Sequence, residues 1–71
     1  MRVKLYNALG EHVRTLAAWE KDFTQWLDEF ADAFFAAGGY AEIWNDQEVF
    51  RFEPAAKSRS ELKQRMKALA A

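Results

Sequence analysis

Apolar and polar positions alternate with period two over Tyr40–Glu53, which predicts a β-hairpin. A turn centred between Asp46 and Gln47 pairs Trp44 with Val49, Ile43 with Phe50, Glu42 with Arg51 and Ala41 with Phe52. One face then carries Ala41, Ile43, Phe50 and Phe52. The other carries Tyr40, Trp44 and Val49 beside Glu42 and Arg51. A single helix layer covers only one face of a sheet. The second apolar face therefore calls for another layer of the fold or for a partner.

The same alternation predicts a first hairpin over residues 2–16. Asn7-Ala8-Leu9-Gly10 suits a three-residue loop with Gly10 in the left-handed conformation. That loop pairs Tyr6 with His12, Leu5 with Val13, Lys4 with Arg14 and Val3 with Thr15. Val3, Leu5 and Val13 share the inner face, and Arg2, Lys4, Tyr6, His12 and Arg14 the outer one. A two-residue loop at Leu9-Gly10 would set Leu5 opposite Arg14 and mix the faces, a slip that a half-buried strand disfavours.

Between the hairpins the period changes to that of a helix. Trp19, Phe23, Trp26, Leu27, Phe30, Phe34 and Ala37 recur at helical spacing and predict one long helix over 18–37. Glu20 and Asp22 fall where the helix dipole favours anions, and Gly38-Gly39 supplies a left-handed stop. Phe35 falls off this stripe. A second helix over 58–70 opens on the capping box Ser58-Arg59-Ser60-Glu61 and carries a narrow stripe of Leu62, Met66 and Leu69. Pro54 ends the last strand before it.

The order is ββαββα, an α+β fold. Crossing of the sheet by the long helix leaves the third strand antiparallel to the first. Placing it there gives a four-stranded antiparallel sheet in the order 2-1-3-4. Residues 1–56 form the core domain. Residues 57–71 form a basic amphipathic helix, either docked on that domain, at a sheet edge or on the face opposite the long helix, or acting as a partner-binding tail.

Seventy-one residues bound this picture to one small domain. A chain of this size buries roughly 60% of its unfolded surface, and its core supplies about 3–5 kcal/mol. No Cys is present to add a disulfide or a thiolate metal site. Six Phe, three Trp and two Tyr supply the core material instead. Met1-Arg2-Val3-Lys4-Leu5 lacks the apolar stretch of a signal peptide, and no apolar run reaches the ~20 residues of a membrane span. The chain reads as cytoplasmic, with no membrane partner.

The net charge of −1 hides a pattern. Arg2, Lys4 and Arg14 make the first hairpin basic, and Lys57, Arg59, Lys63, Arg65 and Lys67 make the last helix basic. Asp22, Asp28, Glu29, Asp32, Glu42, Asp46, Glu48 and Glu53 make the middle acidic.

Three surfaces emerge as candidates. The outer sheet face offers Tyr6, Tyr40, Trp44 and Arg51 as a contact surface, because aromatics and Arg dominate interface energetics. Its partner is another protein or a second copy of the chain. Aromatics interleaved with cations also stack bases and bind phosphates, so nucleic acid is the alternative partner, contacted by Lys4, Arg14, Arg59, Lys63 and Lys67. Glu42, Glu48 and Glu53 oppose phosphate there. The last helix is the second surface, and its cations face the acidic helix flank if it docks. That flank, with Asp22, Asp28, Glu29 and Asp32, is the third. Small phage-encoded inhibitors have this size and acidic character, but no motif here identifies one.

Catalytic chemistry finds no foothold in the pattern. His12 is the sole histidine and lies opposite Tyr6 on a strand. No Ser/His/acid set can be assembled, no phosphate-loop pattern is present, and carboxylates at helical spacing alone do not make a metal site. The expectation is a non-enzymatic binding module without cofactor.

Overall fold

The second hairpin forms as its alternation dictates, and the first shows where alternation breaks down. The computed structural model describes residues 1–53 and 59–70. Pro54, Lys57 and Ser58, and with Ser58 the expected capping box, lie outside those residues, as does the Arg59 side chain. The elements are β1 (Arg2–Tyr6), β2 (His12–Ala17), α1 (Lys21–Glu29), α2 (Ala31–Ala36), β3 (Tyr40–Asn45), β4 (Glu48–Phe52) and α3 (Arg59–Ala70). The four strands form one antiparallel sheet in the order β2-β1-β3-β4. Both the α+β class and the strand order are those expected from connection geometry.

In the β3–β4 hairpin Trp44 pairs with Val49, Ile43 with Phe50, Glu42 with Arg51 and Ala41 with Phe52. Asp46 turns the chain at φ 58°, a left-handed conformation that Asp tolerates better than most residues.

The β1–β2 hairpin keeps the expected Tyr6–His12 pair and the left-handed Gly10 (φ 82°). The Asn7 side-chain carbonyl accepts the Leu9 and Glu11 N–H groups, each at 3.0 Å, and closes the loop. Beyond that pair the register departs from expectation. A β-bulge sets Leu5 opposite Arg14, Lys4 opposite Thr15 and Val3 opposite Leu16. The cause is parity. Val13 and Leu16 lie an odd number of residues apart, so a regular strand cannot turn both inward. The core takes the larger Leu16, 3% exposed, and leaves Val13 56% exposed. The extra residue absorbs the mismatch. Val13 is therefore not a core residue, and Arg14 shares the face of Leu5 instead of joining the outer face.

The single long helix expected over 18–37 is two helices, broken at Phe30 (φ −125°, ψ −19°). Trp19 precedes them at φ 66°, with its ring edge-on to Phe23 at 5.6 Å. The buried ridge runs Phe23, Leu27, Ala31, Phe35 at four-residue spacing, with Trp26 beside it. Ala31 is small enough to let the helix close on the sheet. Phe30 is turned out and is 55% exposed, and Phe35 fills the core place expected for Phe34. The helix ends in a Schellman motif. The Gly39 N–H donates to the Phe34 carbonyl at 3.1 Å and the Gly38 N–H to Phe35 at 3.0 Å, with Gly38 at φ 93°. At Gly39 the constraint is steric, not conformational. A Cβ there would lie 2.5 Å from the Phe34 ring. Gly39→Ala is expected to lower stability by about 1–3 kcal/mol through overpacking, measured by urea denaturation.

The last helix docks on the same face of the sheet as α1 and α2, and not at an edge or on the opposite face as expected, because its Leu62 and Met66 join the one core already there. Leu62 and Met66 are fully buried in one cluster with Phe35, Phe52 and Ile43. The Asn45 side-chain amide, two residues along β3 from the buried Ile43, donates to the Leu69 carbonyl at 3.4 Å. Every buried side-chain N or O among the described residues has a hydrogen-bond partner.

Candidate interaction surface on the open sheet face

With the described helices all on one side, the opposite face of the sheet has no covering layer among the described residues. Register arranges that face in rows across the strands. Thr15, Lys4, Glu42 and Arg51 form the central row, because Lys4 pairs with both Thr15 and Glu42, and Glu42 with Arg51. His12, Tyr6 and Tyr40 lie on one side of it. Ala17, Arg2, Trp44 and Val49 lie on the other.

Opposite charges in the central row do not simply pair. Lys4 stands directly across from Glu42, yet its ammonium lies 4.0 Å from the Trp44 ring centroid. The Arg51 guanidinium lies 4.0 Å from the Tyr40 ring and also holds Glu53. The Glu42 carboxylate is free to accept from the aromatics, taking the Tyr6 hydroxyl at 2.8 Å and the Trp44 indole N–H at 3.2 Å. Tyr6 stacks on Tyr40 at 5.1 Å and 10°, and His12 meets Tyr6 edge-on at 5.5 Å. Cation–π contacts of this kind contribute about 0.5–1 kcal/mol each at exposed sites. The bulge completes the arrangement. His12 and Thr15, three residues apart, come to one face and share a 2.8 Å hydrogen bond between Nε2 and Oγ1.

The hydrogen bond to Glu42 raises the Tyr6 pKa above the ordinary 10.0, and burial and the Glu42 charge act in the same direction. A raised folded-state pKa means that this contribution to stability is complete below about pH 10 and is lost as pH rises through the higher folded value. In a phenolate absorbance titration, Glu42→Gln is expected to bring Tyr6 down towards 10.0. An unmoved Tyr6 in that variant would mean that the carboxylate is not its partner in solution.

Among the residues singled out in the sequence, the structure brings Tyr6, Tyr40, Trp44, Arg51 and Lys4 together on this face. It separates Arg14, which the bulge carries to the helix side. Lys63 is half-buried and Lys67 exposed, both on α3, whose buried side faces the core. The expected nucleic-acid contacts are thus divided between two sides of the sheet. Sequence reasoning read Glu42 only as an obstacle to phosphate and missed it as the hub of the aromatic network. Its place between Lys4 and Arg51 in the central row put it on this face but pointed to ion pairs rather than to the aromatics.

Comparison with known proteins adds no relative: no family model, no curated protein and no solved structure matches this chain. Among the described residues no three His, Cys, Asp or Glu side chains converge in a way that could hold a metal ion. No helix there is long and apolar enough to cross a membrane.

Proposed function

We propose that the chain is a non-catalytic binding module that docks another protein on its open sheet face, through Tyr6, Tyr40, Trp44 and Arg51. The observation that carries this reading is that the aromatic rings are already engaged. Tyr40 lies between Tyr6 and Arg51, and Trp44 carries Lys4. Base stacking on a sheet needs flat ring faces open to the nucleotide. Rings locked on one another and on cations instead offer edges and side-chain stems as a rigid surface. Such a surface loses little conformational entropy on contact, which favours protein recognition. Lys4 and Arg51 lie in the central row between the tyrosines and Trp44, so the fitting partner surface carries carboxylates at its centre with apolar surface on either side.

The test is affinity capture from host extract on the immobilised chain, read by mass spectrometry. Partners held by the wild type are expected to be lost with Trp44→Ala and with Arg51→Glu, and kept with Phe30→Asp on the far side of the sheet. Captured proteins indifferent to both outer-face changes would sink the proposal. So would a Trp fluorescence titration showing steeply salt-dependent binding of single-stranded RNA or DNA, which would move Lys4 and Arg51 to phosphate contacts.

A further inference from the structure

A second surface lies on the other side of the sheet, where the bulged edge strand meets the helix break. Val13, Arg14, Trp26, Phe30, Ala33 and Phe34 line an open, largely apolar groove of about 460 Å³. Val13 and Phe30 stand on its rim more than half exposed, at 56% and 55%. Both features have a cause already described. The bulge pushes Val13 and Arg14 to this side together, and the break at Phe30 turns that ring outward.

One unpaired charge of each sign lies in or beside the groove. Arg14 is on one wall. Glu29 is exposed beside the groove, outside its lining, about one turn from both Trp26 and Ala33. Helical hydrogen bonding persists through the break, from the Phe30 N–H to Trp26 at 2.8 Å and from the Phe34 N–H to Phe30 at 2.9 Å, so that spacing holds. Neither Arg14 nor Glu29 has an ion-pair or hydrogen-bond partner among the described residues.

We propose that this groove is the two-fold interface of a homodimer. Phe30 of each copy enters the groove of the other, and Arg14 pairs with the second copy's Glu29. The argument is self-complementarity. An interface built on a two-fold axis uses one patch twice, so the patch must hold both halves of every contact. This one holds a recess and a protruding ring, a cation and an anion. A small apolar anion would use Arg14 and the recess, and leave Phe30, Val13 and Glu29 without a role. An added β-strand is disfavoured because the bulge interrupts the β2 edge that it would pair with.

Size-exclusion chromatography with light scattering tests the proposal on the full chain. The expected mass is twice the 8.2 kDa of one chain. Phe30→Asp is expected to weaken the dimer roughly 100-fold or more, since symmetry places the loss in the interface twice. Arg14→Glu and Glu29→Arg are each expected to weaken it, and the double variant to restore it. That rescue separates pairing across the interface from any effect on folding, because an unfolded variant would not be rescued. A wild type that stays monomeric at the highest soluble concentration overturns the proposal. So does a dimer that survives Phe30→Asp and dissociates with Tyr40→Asp. Saturable binding of decanoate by a monomer would likewise overturn it and assign the groove to an apolar anion.

Discussion

Met66→Ala is expected to leave little folded protein at room temperature. Met66 has no exposed surface and packs with Leu62 in the cluster that holds Phe35 and Phe52. Cutting a buried Met to Ala costs about 2–5 kcal/mol, the spread reflecting how far the site collapses. A core of this size supplies about 3–5 kcal/mol in all. The two ranges overlap, so one truncation near the end of the chain removes most of the stability. Loss of the cooperative thermal transition, or a fall of tens of degrees in Tm, is the expected measurement. Met66→Leu conserves volume and is expected to cost less than about 1.5 kcal/mol. Lys67→Ala, on the exposed side of the same helix, is expected to stay within about 0.5 kcal/mol of wild type. A normal Tm for Met66→Ala would mean that α3 is a tail and not a layer of the core.

Trp44→Ala is expected to do the opposite, removing binding with a modest effect on folding. The indole is only half-buried, on the face that no described helix covers. Its internal contacts are the Lys4 ammonium at 4.0 Å and the hydrogen bond to Glu42 at 3.2 Å. Together these are worth on the order of 1–2 kcal/mol. A buried Trp at the centre of a protein interface is a hot spot costing about 2 kcal/mol or more, which is roughly 30-fold in affinity. Isothermal titration against the captured partner, alongside thermal melts, separates the two losses. Equal affinity for wild type and Trp44→Ala would remove Trp44 from the contact surface.

How far the sequence revealed the fold depends on whether one phase of the pattern stood alone. Tyr40–Glu53 offered one consistent alternation, and its register is the observed one. The strand order followed from connection geometry. The β2 strand offered two phases, one through Val13 and one through Leu16. The conflict was visible in the spacing, since both residues are apolar and an odd number of positions apart, and a bulge resolves it. The helix posed a harder problem. Phe30 and Phe34 continue the stripe from Phe23 and Leu27 as well as Ala31 and Phe35 do, and periodicity cannot rank two apolar stripes. Packing against the sheet decides between them, and it favours the small Ala31. The docking side of α3 went the other way from expectation, because a three-residue stripe fits either face of a sheet and does not rank them. Of the outer-face residues, the aromatic cluster was readable from strand parity. Its internal wiring through Glu42 depends on rotamers that no spacing encodes.

The bulge in β2 also has a mutational consequence. One added residue lets a single short strand serve two surfaces, with His12 and Thr15 on the open face and Val13 and Arg14 on the groove side. Neighbours in sequence thus belong to environments separated by the thickness of the sheet. Side-chain changes at one pair meet a different environment from changes at the other, and the two stay coupled through the bulged backbone they share. Four adjacent codons therefore reach both surfaces, and an inserted or deleted residue there would exchange the two.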